Sequence, residues 1–509
     1  MSIDFFLITS IITFLENDCD IINLLSVNKQ TYAYKNSIRY KTFPVEYLVK
    51  WIEEKGDDGN DCPIPLKFKS ITSTREYTYR QIRNQLKRYN ILHWRFLYFF
   101  MEPIAEDEIL NRQVKSLKIM SSFELLPGAI PDTVQILDLK YNSKVPIEKG
   151  LIPLSVKSLC IGFSQQFTQP PYLPDNLEEL KFTNNINHPI DDLHIPSSVK
   201  SLDLGIKFFD DLPILPKSLE TLNLGPYFNR PLDVNVFPNC FRKLVFGNYS
   251  NCKLKEFPPY LTYLDLGKDY RFRIEPGVLP RTLEYLRFSE TYSQQIEKGT
   301  LPQQLKYLIL GSLTTDIKPG HLPESLLELD LGPRSNIVLV PGALPPNLRR
   351  LKFGKNFSSP IRPNVLPQTL EYIEFGENFN QAIPNGILPT DNLLDLRLGY
   401  RFNQYLEPNS LAQCLKTLIL GDYYNYELRP GSLPPNLEVL HFGYCFNQPL
   451  GPDILPNSIR ELKLGYSFNQ EYLYLPTSLI TLSVYKTYYD KHKEELQSVI
   501  QILFTKQNR

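Results

Sequence analysis

The sequence predicts a β-solenoid, and three recurring features carry that prediction. An apolar residue followed by proline recurs about every 22 residues, a period typical of solenoid proteins. A Leu-x-x-Leu-x-Leu pattern follows most of these pairs, and a glycine ends the pattern. We therefore expect a right-handed β-solenoid of about 17 coils of about 22 residues, with a parallel sheet and extended return legs. The prolines that mark the coils are Pro131, Pro153, Pro174, Pro196, Pro216, Pro238, Pro258, Pro280, Pro302, Pro323, Pro345, Pro367, Pro389, Pro434, Pro456 and Pro476.

The strand of each coil is predicted from its alternating leucines. The coil that begins "LPKSLETLNLGPYFNR" places Leu219, Leu222 and Leu224 in the Leu-x-x-Leu-x-Leu spacing. Alternation with a period of two indicates a short strand with one buried face. When such coils stack, each strand covers the apolar face of its neighbour, so the repeat buries a core that no single coil could bury.

Three other positions of the coil have predicted structural roles. The glycine after the strand is expected to turn the chain with a positive φ, which glycine adopts without steric cost. A Phe-Asn pair follows the glycine; its Phe should form an internal aromatic spine, and its Asn should hydrogen-bond the backbone of the adjacent coil. Pairs such as Pro276-Gly277 and Pro430-Gly431 suit a type II turn. The glycines after the strands are Gly205, Gly225, Gly247, Gly267, Gly311, Gly332, Gly354, Gly376, Gly399, Gly421, Gly443 and Gly465.

The return leg has no room for a helix, so we expect extended backbone between the Phe-Asn pair and the next apolar–proline pair. Two central segments, "LTTDIKP" at 313–319 and "RSNIVLV" at 334–340, lack the Phe-Asn pair. Irregular coils are expected there.

The unit "LPNSIRELKLGYSFNQ" resembles the FNIP repeat, a relative of the leucine-rich repeat known from amoebae and from giant viruses that infect them. The resemblance covers 113–485 and is most specific where Phe-Asn-Gln is intact, at Phe379, Phe402, Phe446 and Phe468. It implies a leucine-rich-repeat-like solenoid that binds another protein.

The two ends of the chain lose the repeat. Leu496, Val499, Ile500 and Leu503 fall on one face at helical spacing, so 486–509 are expected to form a C-terminal capping helix. Apolar residues at helical spacing also predict a small all-α module at 1–45. Between that module and the repeats, 46–112 are expected to contain a linker and a helical N-terminal cap, with helix in 71–102.

The segment "FFLITSIITFLENDCDIINLLSVNKQTYAYKN" resembles an F-box, although it lacks the usual opening Leu-Pro. The resemblance implies docking on the small Skp-type adaptor of a cullin ubiquitin ligase. The alternative is that these helices only cap the solenoid and the protein is a ubiquitin-independent interaction scaffold. The residues implied in docking are Leu7, Ile11, Ile12, Leu15, Ile21, Leu24, Leu25 and Val27.

The composition and the motifs favour binding over catalysis. Charge is balanced, with 55 basic and 55 acidic residues, which gives no global field for nucleic acid or an anionic membrane. No phosphate-binding loop, nucleophile motif or metal-ligand spacing is present, so we expect no enzyme activity, cofactor or metal. Asp203, Asp265 and Asp330 share a strand position but lie several coils apart, which argues against a joint catalytic role.

The outward side chains of the strands are the predicted target-binding surface. Tyrosine with mixed charge is typical of protein interfaces, although the tyrosines could instead only stack along the sheet. Scattered cysteines and the absence of a signal peptide predict a cytoplasmic protein, in the host cytoplasm if the chain is viral, and a monomer outside the ligase complex. The residues predicted to contact the target protein are Tyr263, Asp265, Tyr285, Arg287, Tyr307, Arg350 and Tyr372.

Overall fold

The computed structural model describes most of the chain from residue 115 to 494, except 122–124, 126, 129, 142–146, 164–170, 184–193, 207–211, 213 and 251–254. It also describes 40–44, 68–72, 94–95, 99–100, 496 and 501–504. The chain forms two compact units, Met1–Phe241 and Arg242–Arg509. The predicted Skp-docking residues from Leu7 to Val27 lie outside the described residues.

The first unit contains two sets of parallel strands. Strands β1, β2 and β3 pair in that order, and strands β4 to β9 each pair with the next strand along the chain. These strands are β1 (Tyr40–Pro44), β2 (Phe68–Thr72), β3 (Trp94–Arg95), β4 (Phe99–Phe100), β5 (Ser116–Ser121), β6 (Ile136–Tyr141), β7 (Ser158–Phe163), β8 (Glu179–Phe182), β9 (Ser201–Asp203) and β10 (Thr221–Asn223).

The second unit is a parallel sheet in which each strand pairs with the next one along the chain. Its strands are β11 (Lys243–Val245), β12 (Tyr263–Asp265), β13 (Tyr285–Arg287), β14 (Tyr307–Ile309), β15 (Glu328–Asp330), β16 (Arg350–Lys352), β17 (Tyr372–Glu374), β18 (Asp395–Arg397), β19 (Thr417–Ile419), β20 (Val439–His441), β21 (Glu461–Lys463), β22 (Thr481–Val484) and β23 (Gln501–Phe504).

The predicted repeat of strands is confirmed. A strand follows every marked proline, from β6 after Pro131 to β22 after Pro476. The central leucine of each strand pairs with that of the next, as Leu264 does with Leu286 and Leu286 with Leu308. All three are fully buried, so each coil covers the core of its neighbour.

The two degenerate coils keep the register of the sheet. Leu308 pairs with Leu329, and Leu329 pairs with Leu351, without a slip. Leu313 and Ile337 are buried in these coils, each 2 % exposed. In the second coil the buried Ser335 takes the turn position of the phenylalanine, and its N–H donates to the carbonyl of Gly332 as that of Phe357 does to Gly354. The expected irregularity is therefore confined to the legs and does not reach the strands.

The return legs are extended, as predicted. Among the described residues, the legs of the repeat contain one 3₁₀ turn, Val234–Val236, and otherwise no helix. Their turns have a left-handed residue after proline, for example Gly277 with φ 84°. Asn364 takes this position with φ 61°, because asparagine tolerates the left-handed region better than most side chains.

The prediction of positive φ after the strands is wrong for many of these glycines. Gly267 does have φ 70°, but Gly311, Gly354, Gly376, Gly399, Gly421, Gly443 and Gly465 do not lie in that region. Their constraint is close backbone stacking between coils. A Cβ on Gly376 would lie 1.7 Å from the carbonyl oxygen of Gly354 in the preceding coil. Glycine is required there for space and not for its backbone angle.

The predicted aromatic spine is present in the second unit. Phe379, Phe402, Tyr424, Phe446 and Phe468 stack in series, with ring centroids 6.1 Å apart at each step. All five rings are buried. Because rings at this separation pack face over face in an offset manner, the spine joins neighbouring coils through their cores.

An asparagine ladder runs beside the spine, as predicted. The Oδ1 atom of Asn425 accepts a hydrogen bond of 2.8 Å from the backbone N–H of Asn447, and that of Asn447 accepts one of 2.9 Å from Asn469. The unbroken run of asparagines begins at Asn380, whose Oδ1 accepts from the backbone N–H of Asn403 at 2.8 Å, and Asn336 makes the same bond to Ser358. These bonds satisfy turn N–H groups that no strand can pair.

A C-terminal helix is present, although it is shorter than predicted. Helix α1 (Lys486–Lys491) contacts the last ring of the aromatic spine and the last asparagine of the ladder. Its Tyr488 ring packs edge-on against Phe468 at 5.1 Å, and its Lys491 Nζ donates to Asn469 Oδ1 at 3.3 Å. The expected helix over 486–509 is wrong at 501–504, where strand β23 pairs with β22. Pairing satisfies the backbone groups at the edge of β22, and this gain overrides the helical spacing of the apolar residues.

The predicted helices of 1–45 and 71–102 are also wrong at several residues. Residues 40–44, 68–72, 94–95 and 99–100 are strands. The predicted helix of 71–102 is thus replaced at both of its ends by parallel pairing with other segments. Such long-range pairing is invisible to local periodicity, because it depends on which segment supplies the adjacent strand.

The glycine column yields a stability prediction with a matched control. Gly376→Ala should lower the stability of the second unit by about 3 kcal/mol or more, because the new methyl group collides with a backbone carbonyl. Gly386→Ala should cost only about 1 kcal/mol, since Gly386 has φ 86° but no atom within 4 Å of an added Cβ. Thermal unfolding followed by circular dichroism measures both. Equal losses would contradict the steric role of Gly376.

Candidate interaction surface

The outward side chains of β12 to β17 form two parallel columns, which we call the sheet face. Strand pairing places Tyr263, Tyr285 and Tyr307 side by side, and it places Asp265 next to Arg287. The same pairing continues to the coil that carries Tyr372. The first column contains Tyr263, Tyr285, Tyr307, Glu328, Arg350 and Tyr372, and the second contains Asp265, Arg287, Ile309, Asp330, Lys352 and Glu374.

The tyrosine end of the sheet face is an open aromatic stack. The rings of Tyr263 and Tyr285 are parallel within 3° and 4.1 Å apart, and the ring of Tyr307 follows at 6.4 Å. The ammonium of Lys243 lies 4.3 Å from the centre of the Tyr263 ring. Burial and the hydrogen bond with Tyr285 raise the pKa of Tyr263. Tyr307, 38 % exposed, presents the largest accessible ring of the three to solvent.

At the other end of the sheet face, charged side chains cover the ring of Tyr372. Tyr372 is only 5 % exposed, because the guanidinium groups of Arg350 and Arg397 lie 4.1 Å and 5.5 Å from the centre of its ring. Its hydroxyl donates a hydrogen bond to Glu374. Burial raises the pKa of Tyr372, and this hydrogen bond raises it further. This burial leaves Tyr372 little surface for a target, and its direct contact with one stays a prediction.

The carboxyl of Glu374 is held in its charged form. Burial by itself would raise the pKa of Glu374, but hydrogen bonds from Tyr372 and Lys352 outweigh it, and the pKa is lowered. The Lys352 Nζ lies 3.2 Å from the Oε2 atom of Glu374. Tyr372, Glu374 and Lys352 thus form one polar cluster that spans two coils.

The repeated aspartates of the second column hold the turns after the strands. The Oδ1 atom of Asp265 accepts a hydrogen bond of 2.9 Å from the backbone N–H of Gly267, and Asp203 and Asp330 make the same bond to Gly205 and Gly332. Asp265 is 8 % exposed, and its other oxygen pairs with Arg287 at 3.3 Å. These hydrogen bonds give the three aspartates a structural role in the turns. They also leave Asp265 little surface for a target.

Sequence reasoning missed a second row of exposed tyrosines on the turns after β18 to β21. The ring centroids of Tyr400 and Tyr423 are 5.1 Å apart, and those of Tyr444 and Tyr466 are 4.9 Å apart. Each of these side chains is at least 40 % exposed. The available signal was a tyrosine one or two residues after each turn glycine, as in "GYRFNQ" and "GYCFNQ".

Neither a metal-binding cluster nor a membrane-spanning helix is present in the part of the chain that the structure describes. Within it, no group of three or more His, Cys, Asp or Glu side chains is arranged to hold a metal ion. Within the same residues, no helix has both the length and the apolar character needed to cross a membrane.

The polar cluster generates a pH-dependent prediction. Tyr372→Phe should raise the pKa of Glu374 toward its ordinary value of 4.5, because a hydrogen bond to the carboxylate is lost. It should cost about 1 kcal/mol of stability at neutral pH. A lowered carboxyl pKa contributes stability above the unfolded value, and this contribution disappears as the pH falls through the folded value. The variant should therefore lose less stability on acidification than the wild type.

Carbon NMR of the side-chain carboxyls, assigned with Glu374→Gln, measures the pKa of Glu374 directly. Tyr285→Phe is the control, because it removes a hydroxyl from the same column but leaves the Tyr372 cluster intact. An unchanged pKa of Glu374 in Tyr372→Phe would refute the assigned hydrogen bond.

Comparison with solved structures identifies similar folds. The chain is similar to CroV588, whose crystal structure is described as a novel circular leucine-rich-repeat protein, with 28% sequence identity, a TM-score of 0.63, and coverage of 87% of this chain and 76% of that one. The protein in the TLR13–ssRNA13 complex is similar with 18% identity and a TM-score of 0.55, covering 87% of this chain and 70% of that chain. These likenesses support a leucine-rich-repeat-like solenoid. No curated protein sequence matches the chain.

The family comparison agrees with the repeat read from the sequence. The FNIP Repeat family matches in seven segments, which together make up more than half of the chain. These segments are 163–207, 212–249, 251–291, 292–333, 336–378, 402–445 and 446–486. With its strand register, aromatic spine and asparagine ladder, the chain belongs to the FNIP-repeat family.

Proposed function

We propose that the chain is an adaptor that holds a target protein on the sheet face and performs no chemistry of its own. The observation that carries this proposal is the open stack of Tyr263, Tyr285 and Tyr307, aligned by strand pairing and bordered by charge. Tyrosine and arginine supply much of the binding energy in protein interfaces, because they combine large contact area with hydrogen bonding.

The members of the sheet face have different roles in this proposal. Tyr285, Tyr307, Arg287 and Arg350 retain exposed surface and contact the target. Tyr372 and Asp265 are buried, and they hold the neighbouring arginines in place. The exposed tyrosines from Tyr400 to Tyr466 extend the available aromatic surface.

A protein is the favoured partner class. The balanced charge of 55 basic and 55 acidic residues provides no excess of positive charge for phosphate groups. The single-stranded RNA of the TLR13 complex is a ligand of that protein, and the resemblance of this chain to it is one of fold.

The finer proposal is that the adaptor belongs to a Skp–cullin–F-box ubiquitin ligase in the cytoplasm. The F-box resemblance of 1–45 would supply docking on the Skp-type adaptor, and the repeats would then present the target for ubiquitin transfer by other subunits. The second candidate is a ubiquitin-independent scaffold, which the unusual opening of the F-box-like segment favours because the Leu-Pro is absent.

A binding assay with substituted full-length chains distinguishes these two candidates. Leu24→Asp combined with Leu25→Asp should abolish binding to purified Skp-type adaptor and cullin, because it places charge on the apolar docking surface. The control Asn23→Asp adds charge at an adjacent polar position and should retain binding. If the unaltered chain does not bind the purified adaptor, the ligase role is wrong and the scaffold stands.

Site-specific cross-linking tests the target surface itself. Benzoylphenylalanine in place of Tyr307 should cross-link a defined partner in cells, because the Tyr307 ring is exposed on the sheet face. Placed instead at Val338, which is 39 % exposed on a return leg, the same group should not cross-link that partner. Identical cross-linked proteins from both positions, or none from Tyr307, would contradict the sheet face as the target site.

A further inference from the structure

A depression of about 480 Å³ opens on the second unit where strands β13 to β17 end. Charged residues of both signs line it together with aromatic residues, and the glycine turns form part of its wall. Its volume falls within the range of sites that accept a side chain or a small ligand. The lining residues include Tyr285, Arg287, Asp330, Lys352, Phe353 and Glu374.

The carboxylates of the two sheet-face columns, followed to β21, are almost all paired with a basic group. Asp265 pairs with Arg287, Glu328 with Arg350, Glu374 with Lys352, Asp395 with Arg397, and Glu461 with His441. Asp330 is the exception: no described cation lies within ion-pair distance of it. One of its oxygens accepts the backbone N–H of Gly332 at 2.8 Å, and no hydrogen bond to the other is found among the described residues.

The neighbours of Asp330 explain this exception. In the preceding coil the register places Ile309 beside it, which supplies no charge. In the following coil the register places Lys352 beside it, but the Lys352 ammonium pairs with Glu374 at 3.2 Å. Arg287 is the next cation on this face, and Asp265 engages its guanidinium at 3.3 Å.

Burial destabilises the charged form of Asp330. Burial raises the pKa of Asp330 above its ordinary value, although the Gly332 N–H and the Lys352 charge act in the opposite direction. A carboxylate that has lost water and gained no cation is destabilised, and a cation brought in by a partner would remove this penalty.

We propose that the depression receives a basic side chain of the target protein, with arginine the better fit, whose cation pairs with Asp330. This inference rests on the proposed function, since it names the chemistry that the sheet face recognises. A guanidinium fits the site because it is planar, weakly hydrated and able to donate two parallel hydrogen bonds to a carboxylate.

The variant that tests this inference should fold normally. Asp330→Asn keeps the acceptor for Gly332, as Asn223 shows by accepting the N–H of Gly225 at 3.0 Å. Only the charge is removed, so the melting temperature should be equal to or above that of the wild type. Asp203→Asn is the matched control, because Asp203 makes the same turn bond to Gly205 outside the depression.

The probe is N-acetyl-arginine methylamide, titrated into the full-length chain while NMR follows the Gly332 amide. We expect a saturable shift that Asp330→Asn weakens about tenfold or more and that Asp203→Asn leaves unchanged. N-acetyl-citrulline methylamide, which has nearly the same shape without the charge, should bind at least about tenfold more weakly. N-acetyl-lysine methylamide should bind more weakly than the arginine probe.

Two results would overturn the inference: no shift with the arginine probe, or equal shifts with the citrulline probe or in Asp330→Asn. The proposed function fails separately, because it depends on cross-linking from Tyr307. A Tyr307 cross-link without arginine binding refutes only the inference. Arginine binding without a Tyr307 cross-link supports the cation site and refutes the sheet face as the target surface.

Discussion

Backbone pairing between successive coils is the constraint on which the rest of this fold depends. Parallel strands lie about 4.8 Å apart, so each coil must repeat the path of the previous one at that distance. The carbonyl oxygen of one turn then lies where the Cβ of the next turn would be, as Gly354 and Gly376 show. The same spacing brings the rings of Phe446 and Phe468 into stacking distance and lets Asn425 reach the backbone of Asn447.

Pairing between coils also determines which side chains are neighbours on the outer surface. Side chains at one strand position are forced beside each other, so a charge needs an opposite charge or a ring in the next coil. Asp265 with Arg287, and Tyr372 between Arg350 and Arg397, meet this requirement within the chain. Asp330 does not, because Ile309 precedes it and Glu374 takes the next cation. Among the described carboxylates of these two columns, from β12 to β21, Asp330 is therefore the one that lacks a paired basic group.

Without a cap, the last coil would expose its core and the edge of its strand, and the C-terminal residues cover both. Tyr488 covers the final ring of the spine, and Lys491 donates to the final asparagine of the ladder. A helix of six residues suffices for this, and the chain then returns to pair β23 with β22. The end of the second unit is thus closed in its core by side chains and continued in its sheet by backbone hydrogen bonds.

The sequence by itself determined the repeat: the leucine spacing, the phenylalanine spine and the asparagine ladder were all predictable, because each coil must solve the same packing problem with the same residues. Only the tertiary structure decided those features that depend on a partner residue from another coil or segment. The strands within 71–102, strand β23 and the burial of Tyr372 depend on such partners. So does the steric role of Gly376, because a local pattern predicts a turn but cannot show which carbonyl will lie against it.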